Sequence, residues 1–566
     1  MKFKSVEIKN FRNFENVRID LDNKNIFFGL NDVGKTNFIA ALRFVFDYEI
    51  RKNNFVDSDY HRKLTKDPIE IIVNIDIKEN TIDTQKLRAQ LKGAIGSTDN
   101  EVIIRLLGEF DNNELIGIPV LFWGGDLNNL KEMKQKGFMF ELDYVFEVIH
   151  IDSYVDITAL FKKNIKKLLK TDLENQTSDD DRDILNEIDK SIASLNNNIS
   201  CLSSVKQLEE RLKPQNNAFI DPGVEISIKS EIAVTGLFSN IVPYIHQEDD
   251  ENLYPTSGDG MRKMLAYSVY DILAKENLEK KILLFFIEEP ENHLHKSMQI
   301  LLSSILFTNN QYNYIFLTTH SPYILYEMDN VNLIRIYSKL QVASKSIMYI
   351  VPIDYKNSKR ILNRFLSEAL FASSVLLVEG PSEEILFTKV LSMLSPNFEA
   401  DGIYILPIHG VGFKPYISIL KPLGIRVVVK TDNDLRKING KNKYSVLGLS
   451  RINKCIGKYA LPTDAVEENT IDAKRELYDK NQKILDNLRE SDAVFLSRVD
   501  LENDLYECLG QRLVQILGDN NPVSYLQSSK YYNMYELVQN LEDKDCEEIF
   551  NNYNFACLKR VIDYDA

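Results

Sequence analysis

Cysteine is scarce and scattered. The five residues Cys201, Cys455, Cys508, Cys546 and Cys557 form no CxxC pair in a chain of 566 residues, which argues against both a disulfide framework and a zinc site. A reducing, cytoplasmic setting is the expectation. Long apolar runs are missing too. The longest clean one, Ile282 to Ile287, falls far short of the ~20 residues a bilayer-spanning helix needs, so no membrane partner is expected. The first residues, MKFKSVEIKNF, alternate apolar and charged side chains and lack the apolar core of a signal peptide. Internal repeats and long low-complexity tracts are absent. Positive charge is in deficit: 68 Lys and Arg against 83 Asp and Glu give a net charge of −15. Taken alone, this speaks against a nucleic-acid partner, because phosphate contacts need Lys and Arg. Nucleases are a partial exception, since their metal sites concentrate carboxylates and the cations bridge to phosphate.

The apolar fraction of 44% is ordinary for a globular protein, and at roughly 150 residues per domain the length suggests three or four domains. Strand-like stretches, a glycine-rich loop and a helical stretch open the chain. Residues 70–150 mix strands (Ile71 to Ile77, Val102 to Leu107) with polar connectors and carry no legible function. An acidic loop, TDLENQTSDDDRD, precedes apolar residues at spacings of three and four: Leu185, Ile188, Ile192, Leu195, Ile199 and Leu202. That seam reads either as an amphipathic helix packed on its own domain or as a helical arm for dimerisation. From about 225 to 350 the pattern returns to α/β, with short unalternating apolar runs typical of buried parallel strands. A polar, basic connector near 356–370 precedes a new strand at Val375.

Gly29-Leu-Asn-Asp-Val-Gly34-Lys35-Thr36 matches GxxxxGK[ST], after the apolar strand Ile26 to Phe28 and before the helical stretch Phe38 to Phe46. This is the context a P-loop needs. Glycines let backbone N–H groups curl around phosphate, and the helix N-terminus adds a positive dipole. Gly29, Asn31, Gly34, Lys35, Thr36 and Asn37 are the expected nucleotide contacts, with Lys35 on the β/γ-phosphates and Thr36 on Mg²⁺. Ile282 to Ile287 followed by Glu288-Glu289-Pro290 resembles a Walker B strand, with Glu288 where an aspartate usually binds the metal shell. The longer side chain puts efficient hydrolysis of ATP in doubt. Ser257-Gly258-Asp259-Gly260 resembles the ABC signature, which contacts nucleotide bound on a partner subunit. His320, in Thr318-Thr319-His320-Ser321-Pro322, stands where ABC enzymes carry a switch histidine; its alternative is a structural role. With Ile8-Lys-Asn-Phe11-Arg12-Asn-Phe14, these motifs make residues 1 to about 350 resemble the ATPase heads of SMC, RecF and OLD-family proteins.

Val375 to Val378 is an apolar strand ending in Glu379-Gly380, with Glu383 close behind. Ile425 to Val429 is a second strand, running into Lys430-Thr431-Asp432-Asn433-Asp434. A strand-Glu-Gly element followed by a strand-DxD element is the Toprim pattern. Carboxylates at the C-terminal ends of neighbouring parallel strands repel one another, and divalent cations relieve that repulsion. Mg²⁺, or Mn²⁺ in its place, suits such oxygen ligands, and two ions about 3.5–4 Å apart can activate water and stabilise the leaving oxygen of a phosphodiester. Further acids follow in Asp500-Leu-Glu502-Asn-Asp504, where Asp500 and Glu502 would share one face of a strand. Lys530 alone reads as an ordinary surface lysine. The metal ligands expected are Glu379, Glu383, Asp432, Asp434, Asp500 and Glu502; Asp504 is equally well a surface acid.

An ATPase head with a C-terminal Toprim domain is the OLD-family layout. IKNFRNF, YPTSGDG, IEEPE, THSP, LFASSVLLVEGPSE, KTDNDL, VDLENDLY and YLQSSK make the chain similar, along almost its full length, to the nuclease subunits of Gabija anti-phage systems. The resemblance implies that Glu379, Asp500 and Lys530 carry DNA cleavage, with Asp432 beside them in the catalytic set. It also implies a homotetramer, a helicase-like partner subunit, and a nuclease restrained by nucleotide. The expected fold is α/β: an ABC-type ATPase head with a helical insertion, followed by a C-terminal Toprim domain. The expected segments are 1–160 and 223–355 for the head, 161–222 for the insertion, and 356–566 for the Toprim domain and its helical extension. Three functions compete: a Mg²⁺-dependent endonuclease on duplex DNA, a RecF- or SMC-like repair ATPase whose Toprim domain only binds DNA, and a scaffold for the helicase-like subunit. Five acids at 379, 432, 434, 500 and 502 favour the first, since a binding module has no need of them. The DNA path is expected over Arg436, Lys437, Lys441 and Lys443. Neutralising all four should weaken DNA binding and flatten its log–log salt dependence by about 0.9 per lost phosphate contact; an unchanged slope in a salt titration places the path elsewhere.

Overall fold

The first strand, Lys2–Phe11, shows how the head's core is laid down. Phe3 and Val6 are three residues apart yet both fully buried. A β-bulge between Phe3 and Ser5 resets the alternation and keeps both on the inner face. The computed structural model describes residues 1–29, 34–91, 96, 99–137, 139–168, 179–208, 210, 244–245, 254–255, 258–277, 280–309, 311–338 and 342–563. Asn31 of the P-loop, Ser257 of the signature and the acidic stretch 171–178 lie outside them.

The described chain divides into two compact units. The first contains residues 1–151, 281–291 and 295 onward. It begins with an antiparallel sheet ordered Phe14–Asp20, Lys2–Phe11, Ile69–Asp76, Glu101–Asp111, Ile116–Gly124, Lys131–Glu132, which accounts for the region without legible function. A second sheet is ordered Phe146–Ile151, Ile282–Glu288, Ile315–Thr318, Lys24–Phe28, Val331–Ser338, Val342–Tyr349; all but the last pairing is parallel. The helix Lys35–Phe46 fills the space between the sheets with Phe38, Ile39, Leu42, Val45 and Phe46. Phe3 meets Phe46, Tyr314 and Phe316 edge-on at 5.3–5.9 Å. Such aromatic packing stabilises by about 0.5–1.5 kcal/mol per pair beyond area burial.

The stretch near 356–370 corrects the sequence reading. Lys359–Leu370 is an amphipathic helix, not an open connector, and it buries Leu362, Leu366, Ala369 and Leu370. Buried Asn363 donates to the carbonyls of Tyr326 and Met328 and accepts from Tyr349. These bonds anchor the helix to the preceding sheet. A four-stranded parallel sheet follows, ordered Ile403–Pro407, Ser374–Val378, Arg426–Thr431, Val494–Leu496. Its flanking helices build a core of their own from Leu386, Phe387, Val428, Phe495, Leu505, Leu537 and Ile549.

The second unit holds residues 152–280 and 292–294. Its described helices include Ile157–Leu168, Asp179–Ser200 and Asp259–Asn277. The first and third share a small core of Ile157, Leu160, Ala266, Val269 and Leu273. The seam is helical through Ser200, with Leu195 and Leu202 exposed and Ile188, Ile192 and Ile199 half-buried.

One buried ion pair ties the head's helix–strand junction. Arg51 donates to the carbonyls of Val45 and Phe44 and pairs with Asp143, and both side chains are at most 3% exposed. Removing one partner leaves an uncompensated buried charge. Asp143→Ala should therefore lower the unfolding free energy by about 3–5 kcal/mol in denaturant titration; a loss under 1 kcal/mol rejects this assignment.

Candidate functional site: a P-loop head and a carboxylate cluster

Two glycines shape the nucleotide loop. Gly29 has φ +141°, and a Cβ there would stand 2.2 Å from the Ile336 carbonyl oxygen; Gly34 has φ +105°, and a Cβ there would meet the Asn13 amide at 2.2 Å. No L side chain fits either position. Lys35, buried at the start of its helix, folds back to donate to the Gly29 carbonyl at 3.1 Å. Thr36 is exposed beside it. Asn37 is held within the protein: its amide donates to Asn13 at 2.9 Å and its oxygen accepts from Arg12 at 3.1 Å. These bonds brace the start of the helix against the turn that carries Arg12 and Asn13. Gly258 immediately precedes the helix Asp259–Asn277 of the second unit.

Glu288 ends its strand with a hydrogen bond to His150 at 2.9 Å. Glu289 adopts φ 42° and lies 3.6 Å from His320 Nε2. Burial and the nearby Lys35 charge push the His320 imidazole below its ordinary pKa, against the pull of Glu289. Sequence reasoning missed Glu291. Its carboxylate accepts from the His320 backbone N–H at 2.6 Å and Thr319 Oγ1 at 2.9 Å, and burial pushes its pKa up. The repeated acids of Glu-Glu-Pro-Glu were the available signal; for His150 there was none.

The second cluster forms where parallel strands end together. Leu377 is in register with Val429, and Thr431 with Leu496, so Glu379 and Asp432 leave the sheet at one edge. Asp500 and Glu502 arrive differently from the expectation. Asp500 is the N-cap of the helix Leu501–Leu509, accepting from the Asn503 N–H at 2.9 Å, and Glu502 lies in its first turn. They are not on a strand face; the helix start directs them to the cluster instead. Gln527 donates to the other Asp500 oxygen at 3.0 Å. Lys530 Nζ lies 3.5 Å from Glu502, from the start of the helix Lys530–Asn540.

Charge is poorly balanced here. Burial, then the charges of Glu379 and Glu502, push Glu383 up to about 7. Burial and the neighbouring charges of Glu383, Glu379, Asp434 and Asp500 push Asp432 well above the usual carboxylate range. Burial raises Glu502 despite Lys530, and its Oε2 is buried with no hydrogen-bond partner. Lys530 loses to burial but gains more from Glu502, Asp432, Glu383 and Asp500, so its pKa rises. Among the described residues no three His, Cys, Asp or Glu side chains are gathered tightly enough to hold an ion as they stand. The donor set nonetheless fits a hard divalent cation: oxygen ligands, an orphaned carboxylate oxygen and uncompensated repulsion. Asp504 belongs elsewhere. It is fully buried against Lys430 at 2.9 Å, and Lys430 also donates to the Asn554 carbonyl.

Residues 370–434 match the TOPRIM domain of overcoming-lysogenization-defect-like proteins, and residues 1–171 and 150–325 match the AAA ATPase domain. Endonuclease GajA of Bacillus cereus (strain VD045) is 44% identical over 584 aligned residues, covering 100% of both chains. The chain belongs to the GajA endonuclease family. Old nuclease of Escherichia phage P2 is 24% identical over 77% of each chain, and OLD nuclease of Thermus scotoductus (strain ATCC 700910 / SA-01) is 23% identical over 80% of this chain and 88% of its own. The chain is therefore a nuclease, with an ATPase head and a C-terminal Toprim domain. Those domains imply a metal ion and a nucleotide, and a nuclease of this family is consistent with DNA as a partner. No described helix is long and apolar enough to cross a membrane.

The two lysine–acid pairs separate structure from chemistry. Asp504→Ala should destabilise by about 3–5 kcal/mol, because Lys430 is left buried and unpaired. Glu502→Gln should melt near the wild-type temperature yet lose cleavage. The reverse pattern in paired thermal melts and plasmid assays would exchange the two roles.

Proposed function

We propose that this nuclease cuts duplex DNA with a divalent metal in anti-phage defence, and that its ATPase head restrains cleavage while nucleotide is plentiful. The observation that carries the metal reading is the set of buried acids Glu383, Asp432, Asp500 and Glu502, with one ammonium among them. These four, with Glu379 at the strand end, would hold the metal. Bound Mg²⁺, or Mn²⁺ in its place, would supply Lewis-acid stabilisation and a water of lowered pKa. The catalytic set is Glu379, Asp432, Asp500 and Lys530. Hydrolysis forms a bond from water oxygen to phosphorus and breaks a P–O ester bond, and the leaving oxygen takes a proton. Lys530 stabilises the negative charge that grows on the phosphate. Its 3.5 Å approach to Glu502 keeps it at the acids. Asp500, restrained by its N-cap bond and by Gln527, presents its carboxylate in one orientation.

DNA crosses the hairpin Leu435–Lys437/Tyr444–Val446, whose Arg436, Lys437 and Lys441 are exposed directly beyond Asp434. Lys443 is paired with Glu467 at 2.7 Å, so it contributes less than the other three. In the head, the P-loop would hold ATP, with Gly29, Asn31, Gly34 and Lys35 for the phosphates and Thr36 and Glu288 for its Mg²⁺. Glu289 and His320 would serve the γ-phosphate, and Ser257 and Gly258 nucleotide bound on another copy. Coupling has a short route: Phe28, last residue before Gly29, meets Phe371 edge-on at 6.0 Å, three residues before the strand leading to Glu379. Arg335 donates to the Gly424 carbonyl at 2.9 Å, at the entry to the strand leading to Asp432. The working assembly is a cytoplasmic homotetramer with a helicase-like partner subunit, as the family resemblance implies, paired in part through the helix Asp179–Ser200.

ATP can shift the enzyme only by binding one conformation better than another. Cleavage should fall as ATP rises through the millimolar range with excess Mg²⁺ held constant, and a non-hydrolysable analogue should inhibit equally. Lys35→Ala should cut but ignore ATP. Glu379→Ala should fold and lose at least the roughly 10²–10³-fold typical of removing one preorganised electrostatic group. Acceleration by ATP but not by the analogue would make the head a motor and overturn the restraint; undiminished nicking by Glu379→Ala would overturn the metal site.

A further inference from the structure

The helix Leu447–Ile456 carries no residue that the sequence marked for function, yet its first turn lies directly on the strand-end acids. The backbone N–H groups of Leu447 and Gly448 donate to the Asp434 carbonyl at 2.8 and 3.1 Å. A Cβ at Gly448 would stand 2.5 Å from the Asp432 carbonyl oxygen and 2.9 Å from the Asn433 Cα. A residue without a side chain is what permits that approach. Three positions on, Arg451 shares the same helix face. Its Nη1 donates to Glu379 Oε1 at 2.5 Å and to Asp434 Oδ2 at 3.0 Å.

Two consequences follow for the acids. Glu379 Oε1 also accepts from Thr431 Oγ1 at 2.5 Å and the Asp432 N–H at 2.9 Å. Three donors occupy this one oxygen, and an ion would find no free lone pair there. Its twin Oε2 accepts no hydrogen bond among the described residues. Asp434, in turn, has Arg451 on one oxygen and Lys474 at 4.0 Å from the other. With two cations beside it, Asp434 is placed as a counter-ion to Arg451, unlike Glu383, Asp432 and Asp500, which form no ion pair among the described residues, and Glu502, whose one cation is Lys530 at 3.5 Å.

We propose that Arg451 is a positioning residue for the nuclease: anchored by Asp434, it commits Glu379 Oε1 to the protein and leaves Oε2 as the metal-facing atom. The inference rests on the metal-dependent reading of the acid cluster. A guanidinium suits the task because its planar N–H groups fix direction as well as charge, which an ammonium does not. Asp434 then leaves the ligand set and becomes part of the support. Partners that orient metal ligands typically alter metal affinity or activity by about 10–100-fold when removed.

The test uses the full chain, with Mn²⁺ binding followed by calorimetry and plasmid cleavage followed across a Mg²⁺ series. Arg451→Ala should weaken Mn²⁺ binding about 10–100-fold and move the Mg²⁺ requirement for cleavage upward, with KM for DNA little changed. Arg451→Lys should recover part of the loss. Asp434→Asn should resemble Arg451→Ala, and the double variant should be no worse than either single one, because both cut the same link. Should Arg451→Ala prove unstable in thermal melts, Asp434→Asn and Arg451→Lys carry the test. Unchanged Mn²⁺ affinity with a raised KM would make Arg451 a DNA contact and overturn the proposal. Additive losses in the double variant would return Asp434 to the ligands and overturn it as well. Glu379→Ala is run in parallel: if it still cuts at the wild-type rate, the underlying metal site is wrong, whatever Arg451 does.

Discussion

Mutual repulsion among carboxylates at the C-terminal ends of one parallel sheet is the constraint on which the nuclease half depends. Strands in register deliver Glu379 and Asp432 to the same edge, and a helix start adds Asp500 and Glu502. Burial removes the water that would screen them, so Glu383 rises to about 7 and Asp432 well above the usual carboxylate range. A fold stores such repulsion only where something else relieves it. Lys530 relieves part from one side, and Arg451 with Lys474 from the other. What remains is centred on four acids, which is where a divalent cation would gain most.

The same desolvation logic sorts the other charges. Lys430 and Asp504 are a one-to-one pair, almost wholly buried and closed by the Asn554 carbonyl. Arg51 and Asp143 are equally sealed, with the Val45 and Phe44 carbonyls as additional acceptors. Such pairs are balanced and support the fold. The nuclease cluster is unbalanced and half open through Lys530, whose side chain is 56% exposed. Balance against imbalance, more than burial alone, separates these pairs from the cluster in this chain.

Some of the contacts between the head and Toprim sheets lie close to both sites. Phe28 stands one position before the P-loop glycine and touches Phe371. The Gly29 backbone runs so close to Ile336, on the neighbouring strand that carries Arg335, that a Cβ would not fit between them. A nucleotide that reshaped the P-loop would act on atoms adjoining the entry to both acid-bearing strands. The anchored helix Lys359–Leu370 removes slack that an open connector would have introduced.

Much of the site was legible without coordinates because its chemistry is local. Glycines at fixed offsets make a P-loop, and apolar strands ending in Glu-Gly and DxD make a Toprim edge. The sequence by itself therefore determined the motifs, the parallel strands that bear them and the family layout. Tertiary structure decided everything that depends on partners distant in the chain. Asn37 reads as a loop residue until Asn13 and Arg12 are found bonded to it across the fold. Asp500 and Glu502 share a strand face at spacing two, but an N-cap bond to Asn503 closes a helix there instead. Asp504 could not be told from a surface acid until Lys430 was found against it. Arg451 had no signal at all, because its role exists only where Gly448 lets one helix touch the ends of two strands. Local spacing encodes backbone geometry, whereas a carboxylate's function depends on which charges stand beside it, and that is settled only when the chain folds.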